Sequence, residues 1–544
     1  MNRRPLRTTR RNLILSAGGA SAGLALTPLE RHIAVAAAST AQEAAKGGTI
    51  TFAYLEKPTS LDASIWSGDS DNQISRQIFD SLIYSPEAGV FVPWLAESWE
   101  SAENGLTYTF KLREDVTFHD GTPFNAEAVK YTFDRMRDPE SRSLQTGYLG
   151  PYESTEVVDD YTVAIHLTDP FGPLLANLSH SATAPISPTA ADAAGSEFAQ
   201  QPVGTGPFMF ERWEGNDLHL VRNPDYDWVP EGMSHTGPAY LERIIYKEVA
   251  EPATRMTVLQ TGEANFTHFP VLDEVASMEE QGFQVIRADT PGFCWCIPLN
   301  VEYPPTDDLL VRQAIIHGTD RATVVELVKA NLANVAYGPL AQPTLGYDPT
   351  VQEYYPYDPE KAAALLDEAG WILGEDGIRQ KDGQPLTLEM IMFEGGDNKP
   401  ASELVQAMLS QLGLNATLDV TAYDAFADHV STGEFNLSQM NWTALDPDLV
   451  VYNMLHSDQV DEEGQFNRSR YSDPHMDELI AQGQQTSDVE ERKAIYSEIQ
   501  KITMDEALIL PLWDESWVYL APPGVQGLRF DQLASPLFYE VWVE

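Results

Sequence analysis

Cysteine is almost missing from this 544-residue chain, and positive charge is scarce. The thiols are Cys294 and Cys296, so a disulfide framework is excluded as the basis of the fold. In FCWCIPLN they alternate along a predicted strand and share one face. A bond between them would close a small strained ring, so buried free thiols are the expectation. The pair supplies too few ligands for a metal centre, and none of the eleven histidines has another at i+4. There is no phosphate-binding loop, dinucleotide fingerprint or G-x-S-x-G nucleophile. No catalytic residue, metal or cofactor is therefore expected.

Lys and Arg total 34 against 82 Asp and Glu, a net charge of −48. Such a surface repels phosphate backbones and anionic lipid, which excludes nucleic acid and membrane surfaces as expected partners. Two readings of the charge stay open: a solvated, salt-tolerant surface, or an acidic funnel for cationic ligands.

Long apolar runs are also lacking. The one candidate, Leu13–Leu29, is only weakly apolar, and its glycines and serines make a poor spanning helix. It follows Thr9-Arg10-Arg11-Asn12-Leu13-Ile14 and precedes Arg31 and the small residues Ala34–Ala41. That order of basic, apolar and small residues is an export signal of the twin-arginine type over 1–41, with Arg10 and Arg11 as its pair. Cleavage after Ala38 or Ala41 fits. With no cysteine nearby, the expected product is periplasmic, in a Gram-negative cell, and not lipid-anchored.

What is present is enough apolar sequence for two or three domains. Gly48–Leu55 reads as a strand, and Asp71–Ile83 as a helix through Ile74, Ile78, Phe79 and Leu82. In GLTYTFKLREDVTFHDGTPFNAEAVKYTF, Tyr108, Phe110 and Leu112 form the buried face of a strand, and Val116 with Phe118 a shorter one. His119, Asp120 and Glu127 resemble an acid–base group. Asp120-Gly121 followed by Pro123 is turn chemistry, however, and Asn125 with Glu127 starts a helix. The structural reading is preferred because no orienting third group is visible.

Gly204–Phe208 reads as a tight turn, Leu309–Lys329 as one helix, and Asp358 with Pro359 as the start of another. Pro385–Phe393, Ala401–Leu412 and Asn415–Val420 form a strand–helix–strand unit. Ser487-Asp488-Val489-Glu490 is a capping box, and Leu508–Trp513 a late strand.

WLAESWESAENGLTYTFKLREDVTFHDGTPFNAEAVKYTFDRM, VGTGPFMFERW with RNPDYDW, VRQAIIHGTDR, YDPEKAAALLDEAGW and NRSRYSDPHMDELI resemble, in register, the solute-binding proteins of peptide- and nickel-type ABC importers, family 5. The resemblance implies an α/β fold: a two-lobed periplasmic-binding-protein clamp of the class II type, with an additional subdomain in lobe I. Lobe I would combine 42–84, 200–300 and 512–544, with the subdomain at 85–199 and lobe II at 301–511. The crossings before Asn300 and around Leu510 would form a hinge. A solute bridging both lobes would favour the closed form, which inner-membrane permease subunits accept. The protein would be a monomer and not an enzyme.

The same resemblance suggests ligand contacts. Trp442 matches the relatives' cleft tryptophan. Their amine-pairing aspartate lies two or so residues before Asp446, where this chain has Ala444-Leu445, so Asp446 either takes that role or caps a helix with Asp448. Lys399 replaces an arginine that holds a carboxylate, or is a surface lysine. Gln439 stands where oligopeptide-binding relatives have arginine. Trp66 and Trp295 complete the set, each a stacking surface or a core residue. The expected solute is a dipeptide or oligopeptide. Opines, oligosaccharides and chelated nickel stay open, as do a twin-arginine-exported enzyme and a folding helper.

Overall fold

The central strand Thr49–Tyr54 alternates half-exposed and buried residues before ending in three buried ones. It runs parallel to Phe266–His268 on one side and Arg243–Glu248 on the other. The seven-stranded sheet built around it continues through Asp217–Arg222 and Phe208–Glu214 at one edge, and through Ser516–Ala521 and Gln284–Asp289 at the other. This computed structural model describes residues 47–65, 69–460 and 466–544. Arg10, Arg11 and Trp66 lie outside the described residues.

Helix Asp69–Ile78 packs against the edge strand Phe208–Glu214 of this sheet and is shorter than its apolar pattern suggests. Phe79 and Leu82 are buried beyond its end. The turn at Gly204 is what meets that end. Gly206 N–H donates to the Ile78 carbonyl at 2.8 Å, and a Cβ on Gly204 would stand 2.2 Å from the same oxygen. Only glycine permits so close a backbone approach.

A separate four-stranded antiparallel sheet contains Ala96–Ser101, Thr107–Leu112, Thr162–Leu167 and Tyr152–Asp159. Tyr108, Phe110 and Leu112 are buried, and Lys111 is exposed. No strand forms at Val116–Phe118; only an isolated bridge joins Thr117 to Pro123, because Pro123 lacks the N–H that would extend a ladder. Asn125 caps helix Ala126–Arg137 by accepting from Ala128 N–H. His119 Nδ1 receives Gly204 N–H at 3.4 Å, which leaves the proton on Nε2 to donate to the Gly206 carbonyl at 2.9 Å. Burial pushes its pKa down to about 4, so the ring is neutral. Asp120 accepts from Ser187 and Thr122 hydroxyls at 2.6 Å each. These groups pin a turn.

The second large element is a four-stranded sheet in the order Asn334–Val335, Ile509–Asp514, Gly292–Pro298, Met440–Thr443. Cys294 and Cys296 lie in its fully buried strand as free thiols. Strands Thr387–Phe393 and Asn415–Thr421 pair in parallel, as a crossover through helix Asn398–Gln411 requires. Leu309–Lys329 is two helices, Leu309–His317 and Arg321–Lys329. Gly318 ends the first, where a Cβ would stand 2.1 Å from Leu412 Cδ1, and Asp320 caps the second by accepting from Thr323 N–H at 3.2 Å. Asp488 alone supplies the cap of helix Val489–Asp505.

The described residues form one compact unit with two main apolar cores. One runs from Ile50 to Phe266 and resumes at Trp517; the other spans Phe293 to Trp513. The chain passes between them twice, side by side. Thr290 N–H donates to the Glu515 carbonyl at 3.0 Å, and Ser516 Oγ to Asp289 at 2.6 Å. Strand Gly292–Pro298 belongs to the second sheet, so the crossing lies near residue 290.

Candidate functional site

A cavity of about 300 Å³ lies between the two cores. Asn72, Tyr148, Phe171, His180 and Trp517 line it from the first side. Trp442, Ala444, Asp446, Asp448 and Leu449 line it from the second. The volume is at the lower end of what small-solute sites enclose.

Each wall is held by its own backbone. Trp442 lies on strand Met440–Thr443, opposite Phe293, and meets Phe466 edge-on at 5.2 Å. A Cβ on Gly292 would stand 2.2 Å from the Trp442 carbonyl oxygen, so glycine lets the two strands close up there. Across the cavity, His180 stacks on Tyr148 at 4.6 Å. Its Nδ1 accepts Ala182 N–H at 3.0 Å, which places the proton on Nε2. Burial pushes its pKa down to about 3 and keeps it neutral. Asn72 donates to Ser535 Oγ at 2.9 Å and accepts from Ser181 Oγ. The two walls also touch directly: Gly172 N–H donates to the Gln484 carbonyl at 2.7 Å.

Below Trp442 the chain enters helix Pro447–Leu455, with Asp446 as N-cap and Pro447 in its first turn. Asp446 Oδ1 accepts Asp448 N–H at 3.0 Å. Arg492 grips the Asp446 carboxylate with both nitrogens, at 2.6 and 2.7 Å, and adds bonds to the Gly483 carbonyl and Tyr496 hydroxyl. Burial alone would lower the Arg492 pKa; the Asp446 charge and hydrogen bonds hold it well above the usual range. Asp446 is thus neutralised inside the protein. Asp448, two residues on, receives from the described side chains only Gln484 Nε2 on Oδ2, at 3.3 Å. Its buried Oδ1 has no hydrogen-bond partner among the described residues. Burial, then the neighbouring Asp446 charge, push its pKa up to about 7 against the pull of Arg492 and Gln484.

Trp442 and Asp446 line this cavity; Trp295, Lys399 and Gln439 do not. Trp295 is buried and stacks on Trp513 at 4.3 Å, its indole donating to Asn398 at 3.2 Å. Helix Asn398–Gln411 starts earlier than its apolar pattern indicates, so Lys399 is in its first turn. There it is 65% exposed, 3.9 Å from Glu403. Gln439 is buried and donates to Asn441 at 2.8 Å, while its carbonyl accepts from Arg468. Asp448, His180, Tyr148, Asn72 and Trp517 were not singled out as ligand contacts. Asp448 had a local signal, a second carboxylate in the first turn of a proline-started helix; the others come from segments far apart in sequence.

Residues 90–462 match the family model for the middle part of bacterial extracellular solute-binding proteins, family 5. The chain belongs to this family. Family 5 members are the periplasmic substrate-binding components of ABC transporters. Among similar proteins is the glutathione-binding protein GsiB of Escherichia coli K12, 32% identical over 444 residues, which covers 80% of this chain and 82% of GsiB. NikA from Brucella suis, solved with Fe(III)-EDTA, superposes with a TM-score of 0.80 at 28% identity, covering 91% of this chain and all of that one. DppA from Helicobacter pylori, solved with the peptide STSA, gives 0.72 at 26% identity, with coverages of 92% and 98%. These family 5 structures share the two-lobed α/β architecture.

Proposed function

We propose that this family 5 protein captures a short peptide or peptide-like solute in the cavity between its lobes and passes it unaltered to a membrane permease. The observation that carries the reading is the cavity itself. Its walls come from two cores joined by two adjacent chain crossings, so a solute there gains contacts with both lobes only when they are together. We assign the hinge to residues 289–292 and 514–516, lobe II to the chain between them, and residues 85–199 to the additional subdomain of lobe I. The glutathione-binding relative and the peptide-bound DppA support a peptide-like cargo. Export by the twin-arginine route and a monomeric state belong to the same proposal.

Trp442 is the proposed stacking surface, since it is half-buried, anchored by Phe466 and part of the cavity wall. Trp442→Ala should weaken binding by about 2 kcal/mol, roughly thirtyfold in Kd, the cost of removing a central aromatic anchor. The check is mass spectrometry of solute released on denaturing the purified protein, then calorimetric titration of that solute into both forms. Equal affinities would remove Trp442 from the site, and recovery of a chemically altered solute would favour an enzyme.

A further inference from the structure

We propose that Asp448 is the cation anchor of this cavity, so that the site selects solutes carrying an ammonium group and gives no charged partner to a carboxylate. The inference rests on the cavity being the solute site and deepens that reading. Three observations carry it. Asp448 lines the cavity, is 6% exposed, and leaves one carboxylate oxygen without a donor among the described residues. A buried oxygen in that condition is costly unless something supplies a donor. Among the described residues no lysine or arginine lines the cavity. Finally, four aromatic rings, Trp442, Tyr148, Phe171 and Trp517, share the wall with Asp448, and ring faces favour an organic cation.

The neighbours explain why Asp448 and not Asp446 has this role. Arg492 lies on the helix behind both carboxylates, but both of its terminal nitrogens are spent on Asp446, with one also on the Tyr496 hydroxyl. Gln484 gives Asp448 one neutral bond. Facing it across the cavity are His180, kept neutral, and the Tyr148 ring. On its other side is a second cavity of about 390 Å³, edged by Asp169 and Tyr452. Among the described residues no lysine or arginine donates a hydrogen bond to the free oxygen. With a pKa near 7, the carboxyl is part-protonated in the empty site at neutral pH. An ammonium group then displaces that proton to solvent, so capture is coupled to proton release. Affinity should rise with pH through 7, because the ionised carboxylate is the binding form. Between pH 6 and 8 the gain is about tenfold for one such group.

The test uses phenethylamine, which stays cationic across this range, against its neutral and anionic counterparts, phenethyl alcohol and phenylacetate. Each is titrated calorimetrically into the full mature protein at pH 6, 7 and 8, in two buffers of different ionisation enthalpy to count protons. The amine should bind at least tenfold tighter than the alcohol at pH 8, with phenylacetate weakest, and should release close to one proton at pH 6. Asp448→Asn should erase both the preference and the proton release. Because asparagine keeps the shape and removes a buried charge, its thermal midpoint at pH 8 should not fall; that measurement separates lost binding from lost folding. If amine and alcohol bind equally and both weaken in Trp442→Ala, the cavity stands and the cation anchor is refuted. If neither binds and Trp442→Ala does not alter capture of the co-purified solute, the cavity reading fails and takes the anchor with it.

Discussion

Arg492→Leu is expected to destabilise lobe II by about 3–5 kcal/mol, the cost of stranding a buried ionic partner. Arg492 and Asp446 side chains are only 4% and 5% exposed, and their two hydrogen bonds are short. Leucine fills part of the volume but leaves the Asp446 carboxylate uncompensated beside Asp448. The loss should grow with alkaline pH. Without the guanidinium, Asp448, already raised by burial, loses the charge that pulls its pKa down, and a carboxyl with a raised folded pKa loses stability as pH climbs through it. Urea unfolding at pH 6 and 8, followed by a probe in lobe II, checks this. Asp446→Asn added to Arg492→Leu should recover a large part of the loss, since it removes the stranded charge. A drop below 1 kcal/mol at pH 8 would show that the pair does not hold the cavity floor.

Gly172→Ala should instead spare folding and cost binding. Gly172 lies between Phe171 and Leu174 of the first core, yet a Cβ there would stand 2.0 Å from the Thr486 carbonyl oxygen, at the end of helix Pro474–Gln485 in lobe II. No side-chain rotation relieves a clash with backbone. The methyl therefore penalises the state in which the lobes touch, by about 3 kcal/mol, the upper end of overpacking. The open state feels nothing. Because a solute held by both lobes needs the lobes together, the apparent Kd should rise roughly a hundredfold. Calorimetric titration with the co-purified solute reads the affinity, small-angle scattering reads lobe separation, and the thermal midpoint without solute should hold within 1–2 °C. Unchanged affinity would mean that binding does not require the Gly172–Gln484 contact.

These two residues also mark how far the sequence was legible. Local chemistry was read well where the partner is a few residues away. Asn125, Asp358 and Asp488 cap helices because each side chain reaches an N–H three residues on. Where a short polar link interrupts an apolar pattern, period alone misled: Gly318 to Asp320 splits what reads as one helix, since Leu412 crowds the glycine from another segment. Lys399 and Trp295 show the same limit. An exposed lysine and a stacked core tryptophan have the same local sequence signals as ligand contacts, and only packing tells them apart.

By itself the sequence determined the fold family, several of the principal strands and helix caps, and the absence of a phosphate loop or nucleophile motif, because those depend on residue order over short spans. Tertiary structure alone decided which aspartate is available to a solute. Asp446 and Asp448 are near neighbours with the same chemistry, but the single guanidinium that neutralises one of them arrives from 46 residues away. Charge compensation at hydrogen-bond distance is set by where helices pack, and no local pattern encodes that.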